Sequence, residues 1–292
     1  MSPRNLGLAV LAPLCWGVTF TLAKPVVQHF PPLFMMFLVY AGIGVLMAVT
    51  HREPFKTPWP KLLLISALAV TIQGALLFYA IKEVDATTSN LVLQAQVPAG
   101  VIMGWLIAGE PLNPARIIGT LIAVLGVVIV IGLPEHRQPL IPVLMIVVSG
   151  FVWAGGQVCA RVFSKDSGTM TLKANAWFAT PQLALASYFL EQGQWNALVT
   201  ATPVQWLLFA FVGIFGFYVA YITWFTLLKS VTVDQAVPFI LLMTPIGLIA
   251  AVVFLGESIT LVQFIGGAVL MLGLAVVNGM GKFLFLASIK SA

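Results

Sequence analysis

Apolar residues come along this chain in long unbroken runs, and polar residues gather in short stretches between them. Ten runs stand out, at 6–23, 33–50, 62–81, 87–109, 117–133, 140–160, 174–190, 204–228, 235–255 and 259–277. None alternates with the two-residue period of a half-buried strand. An apolar helix needs about 20 residues, with about 17 as a lower limit, to cross a bilayer. Within lipid a helix also satisfies its own backbone, as an open strand does not. The pattern therefore predicts an all-α integral membrane protein with ten transmembrane helices. The run at 174–190 is the weakest, being short and carrying Asn175 and Gln182. The first run follows a Met-Ser-Pro-Arg start, as in a signal peptide. It is 18 residues long with no small-residue cleavage site after it, so a first span is expected instead.

Composition points to the same solvent. Hydrophobic residues make up 60% of the chain and charged ones 8%, with a mean hydropathy of +1.04. A water-soluble domain carries roughly a quarter charged residues. The net charge of +5 raises the question of nucleic acid, but the basic residues are scattered singly, with no stripe or arm for phosphates. They sort by side instead. With the N-terminus in the cytoplasm, Arg4, Arg52, Lys56, Lys61, Arg116, Arg161, Lys165, Lys173, Lys229, Lys282 and Lys290 fall on the cytoplasmic side, against Lys24, Lys82 and Arg137 opposite. Both termini are expected in the cytoplasm. Cys15 and Cys159 lie in apolar segments with no Cys or His beside them, which suggests small apolar filler and no metal site.

The chain also repeats itself. Shifted by 147 residues, Lys82 meets Lys229, Pro98 meets Pro245, Gly109-Glu110 meets Gly256-Glu257, Gly119 meets Gly266, and Leu125-Gly126 meets Leu272-Gly273. Shifted by 137, Trp16 meets Trp153, Lys24 meets Arg161 and Tyr40 meets Trp177. The expected halves are 1–135 and 136–292. Each holds five helices, an odd number, so the second half enters the membrane upside down. Inverted repeats of this kind occur in secondary transporters that hold substrate near the midplane.

Ten helices in a 5+5 inverted-topology repeat, the early Trp16-Gly17, and the Gly-Glu pairs closing helices 4 and 9 resemble the EamA-type drug/metabolite transporter superfamily over nearly the whole chain. The aromatic-rich, acid-poor interior is most similar to the bacterial exporters of aromatic and other neutral amino acids. The resemblance implies a secondary transporter in a bacterial inner membrane that exports small neutral or zwitterionic amphipathic metabolites by alternating access. Many members carry an Arg in helix 2. The nearest matching position here is Tyr40, which argues against a carboxylate or phosphate held directly at that point.

The acids are placed in a telling way. All nine of them, and the three histidines, fall in loops or at helix ends. A charge at the bilayer centre costs about 3 kcal/mol on insertion scales, so carriers that need one keep it for function. Transport without proton coupling is the expectation. Uncharged groups furnish the candidate path: Trp16; Gln73, Phe78 and Tyr79; Asn90 and Gln94; Trp153 and Gln157; Trp177; Tyr218 and Tyr221. Asn90, Gln94 and Pro98 share one helical face at four-residue spacing, and Pro98 leaves the Gln94 carbonyl without its helical donor. Amides for a polar head and rings for an apolar side chain suit an amino acid. The competing reading is that such amides bond a neighbouring helix and do nothing else. Trp59, Trp105, Trp195 and Trp206, near run ends, read as interfacial anchors.

Pro98 and Pro245, matched across the repeat, are candidate hinges, the alternative being tolerated kinks. Glu110 and Glu257 are expected to cap the helix that follows each, and Asp85 and Thr232 to N-cap helices 4 and 9. Lys24 and Arg161 are expected to snorkel, and the small-residue stripes at Gly119/Ala123/Gly126 and Gly266/Gly273 to be packing surfaces. Expected partners are a small-molecule substrate and the lipid bilayer, with no cofactor or nucleic acid and the protein a monomer. An intramembrane enzyme would need paired acid–base groups that the spans lack, and no Gly-x-x-x-x-Gly-Lys loop offers ATP drive. A proton-coupled multidrug or other metabolite exporter of the same superfamily, and a receptor or structural protein, are the alternatives.

Overall fold

The computed structural model describes residues 1–131, 138–231 and 233–278. Thr232, Arg137, Lys282, Lys290 and the 135/136 boundary between the expected halves lie outside the described residues. Helices dominate, and no strand occurs among the described residues. In chain order they are α1 (Pro3–His29), α2 (Pro32–Thr50), α3 (Trp59–Glu83), α4 (Ala86–Ala108), α5 (Pro114–Ile131), α6 (Leu140–Phe163), α7 (Gly168–Leu190), α8 (Gln194–Thr200), α9 (Pro203–Leu228), α10 (Val233–Ile240), α11 (Met243–Leu255) and α12 (Leu261–Val277). Seven of these, α1 to α6 and α9, are long and apolar enough to cross a membrane, while α11 and α12 are shorter apolar helices. Their outward faces carry large apolar side chains such as Leu121, Val128, Leu207 and Phe264, all well exposed, as a lipid solvent permits.

The expected run at 235–255 is two helices, and α4 carries the same interruption. At Gln94–Ala95 the bonding tightens to three-residue spacing: Gln94 N–H donates to Leu91 O at 3.2 Å, Ala95 N–H to Val92 O at 3.0 Å and Val97 N–H to Gln94 O at 3.0 Å. Leu241–Leu242 forms the second break, where Leu242 N–H donates to Phe239 O at 3.0 Å. Each break precedes a proline by three to four residues, so Pro98 and Pro245 sit in the first turn of a new helical segment, where a missing N–H costs nothing. The Gln94 carbonyl is therefore not free, as the sequence suggested, because Val97 occupies it.

Both new segments end alike. Gly109 and Gly256 adopt left-handed φ of 66° and 68°, a conformation that a side chain disfavours. The next N–H reaches back to close the helix, Glu110 to Gly104 O and Glu257 to Ala251 O, each at 3.2 Å. Two widened stretches also correspond, Ala67–Ile72 within α3 and Val212–Val219 within α9.

Glycines set the closest crossings. A Cβ on Gly119 would meet Gly273 O at 2.8 Å, and one on Gly273 would meet Gly119 O at 2.7 Å. Gly266 stands likewise against Gly126 O at 3.0 Å. Backbones of α5 and α12 thus touch directly, which small residues allow in lipid. Elsewhere Gly216 of α9 receives Thr19 of α1, and Gly156 of α6 receives Ala69 of α3.

Candidate functional site

The helices around α1, α3, α6 and α9 enclose a cavity of about 130 Å³. Its walls come from Trp16 and Phe20 of α1, Tyr40 of α2, Ala69, Gln73, Leu77 and Phe78 of α3, Leu93 and Gln96 of α4, and Trp153 and Gln157 of α6. The helix α9 adds Phe217, Tyr221, Trp224 and Phe225, and Ile240 and Met243 complete the lining. No Asp, Glu, Lys, Arg or His is among these residues.

The rings pack against each other in edge-to-face and tilted pairs. Trp16 meets Tyr221 with centroids 5.3 Å apart at 77° and Trp224 at 6.0 Å and 58°. Tyr40 meets Phe217 at 5.5 Å, and Phe78 meets Phe217 at 6.1 Å. The widened stretches explain this convergence. Extra residues per turn at Val212–Val219 bring Phe217, Tyr221 and Trp224 onto one side, and Ala67–Ile72 does the same for Ala69 and Gln73.

Six of the residues singled out in the sequence line the cavity: Trp16, Gln73, Phe78, Trp153, Gln157 and Tyr221. Five lie elsewhere. Tyr79 points away and its hydroxyl donates to Glu191 Oε1 at 2.9 Å. Asn90 is spent between helices, its Nδ2 donating to Thr21 Oγ1 at 3.1 Å and to Ala86 O at 2.9 Å. Gln94 is 1% exposed, and neither amide atom has a partner among the described residues. Trp177 is 47% exposed, donates to Gly44 O at 3.0 Å and stacks under Lys173 Nζ at 5.1 Å. Tyr218 packs into the apolar core behind the wall.

The break in α4 re-phases its face, so that Gln96 points inward in place of Gln94. Tyr40, Phe20, Phe217 and Phe225 are further lining residues that the sequence selection missed. Pro98 itself, two positions after Gln96, was the available signal that the helix restarts there.

Opposite ends of α4 carry matched ionic ties. At its N-terminus Glu257 accepts the N–H of Ala86 and of Thr87, each at 2.8 Å, and Lys24 Nζ approaches the same carboxylate at 3.4 Å. Partial burial alone would raise the Glu257 pKa. The Thr87 and Ala86 amides, the Thr87 side chain and the Lys24 charge outweigh it and hold the carboxyl below its ordinary value. Just below, Thr21 Oγ1 donates to Gly247 O at 2.9 Å, joining α1 to α11 beside Asn90.

At the other end, Glu110 is held by Arg161 and by Arg116, the latter at 3.3 Å. The expectation that each glutamate caps its following helix is thus corrected. Asn113 caps α5 and Thr260 caps α12, because the left-handed turn swings Glu257 across to α4. Asp85 occupies the N-cap position of α4 without a capping bond and meets Gln138 instead. Lys24 and Arg161 pair with carboxylates where free snorkelling was expected.

A family model described as the EamA-like transporter family matches the chain over residues 4–132 and again over 140–279. The chain belongs to the EamA-like transporter family. This is a multi-pass membrane family, and the EamA relatives similar to this chain carry transporter names. A protein of Escherichia coli (strain K12) named "Probable amino-acid metabolite efflux pump" is 27% identical over 287 residues, 94% of each chain. "Uncharacterized transporter YvbV" of Bacillus subtilis (strain 168) is 25% identical over 96% of this chain and 93% of its own. "Probable terminal-alkyne amino-acid exporter" of Streptantibioticus cattleyicolor is 21% identical over 78% of this chain and 75% of its own. A solved crystal structure superimposes with a TM-score of 0.68 at 20% identity, covering 95% of this chain and 98% of that one, a likeness of fold.

Proposed function

We propose that this EamA member is a secondary exporter of small neutral or zwitterionic amphipathic metabolites, amino acids with aromatic side chains foremost, working by alternating access. The observation that carries the reading is a central cavity walled by rings and three glutamines with no ionised side chain. Rings match an apolar side chain, and glutamine amides offer both donors and acceptors to an amino-acid head. The names of the Escherichia coli and Streptantibioticus relatives, "Probable amino-acid metabolite efflux pump" and "Probable terminal-alkyne amino-acid exporter", favour the same cargo.

The proposed machine is two five-helix halves, 1–135 and 136–292, inserted with opposite polarity and both termini in the cytoplasm of a bacterial inner membrane. Matching breaks, widened stretches and Gly-Glu endings support that arrangement. In this orientation the Lys24–Glu257 end faces outward, tied shut across α1, α4 and α11, and the cavity loads from the cytoplasm past Gln157, Trp224 and Phe225. Pro98 and Pro245 serve as hinges for the segments they begin. With no acid or histidine on the path, transport runs downhill without protons and without any catalytic step.

Proteoliposome counterflow with a panel of amino acids tests the reading. Exchange of phenylalanine or tyrosine, unchanged when the proton gradient is collapsed, is the expected result. No exchange of any amino acid would overturn the cargo, and exchange that vanishes with the proton gradient would overturn the uncoupled mechanism.

A further inference from the structure

Within the cavity, Trp16 packs directly against two other rings. Trp16, Tyr221 and Trp224 form a corner of three rings, with Tyr221 and Trp224 both tilted steeply against Trp16. All three are only half-buried and face the open space. The other polar side chains of the lining are the Tyr40 hydroxyl and the amides of Gln73, Gln96 and Gln157, and none of the three amides has a side-chain hydrogen bond among the described residues.

The electrostatics of that corner are one-sided. A ring face carries negative potential, and a cation within about 6 Å of several faces gains about 2 kcal/mol or more when water is excluded. With no carboxylate on the walls, these faces are the cavity's main source of attraction for positive charge. They attract charge without accepting strong hydrogen bonds. A primary ammonium would bring three N–H donors, for which the side chains of the walls offer only the glutamine carbonyls and the Tyr40 and Tyr221 hydroxyls, and each donor left unmet costs about 1–3 kcal/mol. A trimethylated nitrogen brings the same charge and no donors. The free amide N–H groups remain for a carboxylate.

We propose that Trp16, Tyr221 and Trp224 form a subsite for a quaternary ammonium head, and that betaine-type zwitterions, N-trimethylated amino acids, are among the solutes carried. The inference rests on the exporter reading above and specifies the head-group chemistry of the same cavity. Tyr221 fixes the corner by contacting Trp16 on one side and Phe225, 6.0 Å away, on the other. Gln73, Gln96 and Gln157 take the carboxylate end.

The full-length protein in proteoliposomes provides the test. N,N,N-trimethylphenylalanine should inhibit phenylalanine counterflow within about threefold of the concentration at which phenylalanine does, while 3-phenylpropionate, lacking the cation, should be about tenfold weaker. Trp16→Leu and Trp224→Leu should each weaken the trimethylated inhibitor about tenfold, and Trp16→Phe and Trp224→Phe should recover most of that loss. Equal inhibition by 3-phenylpropionate, or leucine variants that elute as folded protein and keep full affinity, would overturn the subsite. Complete absence of phenylalanine counterflow would mean that the amino-acid reading itself has failed. Calorimetric titration of detergent-solubilised protein with benzyltrimethylammonium then decides the subsite alone. Saturable heat that Trp224→Leu abolishes upholds it, and no saturable heat in the unmodified protein overturns it.

Discussion

Lys24 and Glu257 meet at 3.4 Å, and the residues matched to them by the two sequence offsets, Arg161 and Glu110, are also paired. The two pairs do different work. Glu257 adds the first two N–H groups of α4 to its lysine, while Glu110 divides itself between two arginines. One carboxylate thus docks a helix end and its counterpart holds side chains alone.

Replacing Glu257 by glutamine should destabilise the protein by about 1–2 kcal/mol at neutral pH, from loss of a charged helix cap and a half-buried ion pair. The pH dependence follows in sign. The folded carboxyl titrates below the ordinary value of 4.5, so its contribution is complete above about pH 5 and fades as pH falls through the folded value. Thermal melts of the unmodified protein and Glu257→Gln should differ by a constant interval from pH 8 to pH 5 and converge as pH falls below the ordinary value of 4.5.

Exchanging charges distinguishes the two ends. Lys24→Glu with Glu257→Lys should not regain stability, because a lysine cannot accept the Ala86 and Thr87 N–H groups. Arg161→Glu with Glu110→Arg should regain part of what either single change loses, since the Glu110 partners are side chains. Melting temperatures of the six variants provide the check.

Gly119→Val should cost several kcal/mol by forcing α5 from α12, where even a Cβ would stand 2.7 Å from the Val277 N atom. Gly42→Ala, with nothing within 4 Å of the added carbon, should be close to neutral. Denaturation in mixed micelles, comparing both with the parent, measures the difference.

The double change Pro98→Ala with Pro245→Ala should allow α4 and the α10–α11 pair to run straight. The hinge proposal expects counterflow rates to fall about tenfold while cargo affinity changes little. Undiminished rates would remove the hinge role.

Much of the architecture was written in the apolar runs and the doubled Pro and Gly-Glu positions, because lipid demands continuous apolar helices and left-handed caps demand glycine. The lining was legible only where helices stay regular. Trp153 and Gln157, four residues apart on regular α6, both face the cavity. Asn90 and Gln94 followed the same rule and missed it, Asn90 because it bonds Thr21 and Ala86, and Gln94 because three-residue bonds at Gln94–Ala95 turn the face over to Gln96. Tyr218 was singled out in the sequence, but the widened turns of α9 bring its neighbour Phe217 inward instead. The Glu257 cap on α4 joins residues about 170 positions apart, and no local pattern announces such a contact.

Where α5 meets α12, backbone lies on backbone with no side-chain layer between. A seam of that kind has nowhere to yield. The rocking proposed for transport would therefore fall to the segments beyond it, with the seam as a keel while the walls of the cavity swing. New cargo preferences can then arise by exchanging one ring for another, without disturbing the member that holds the vessel together.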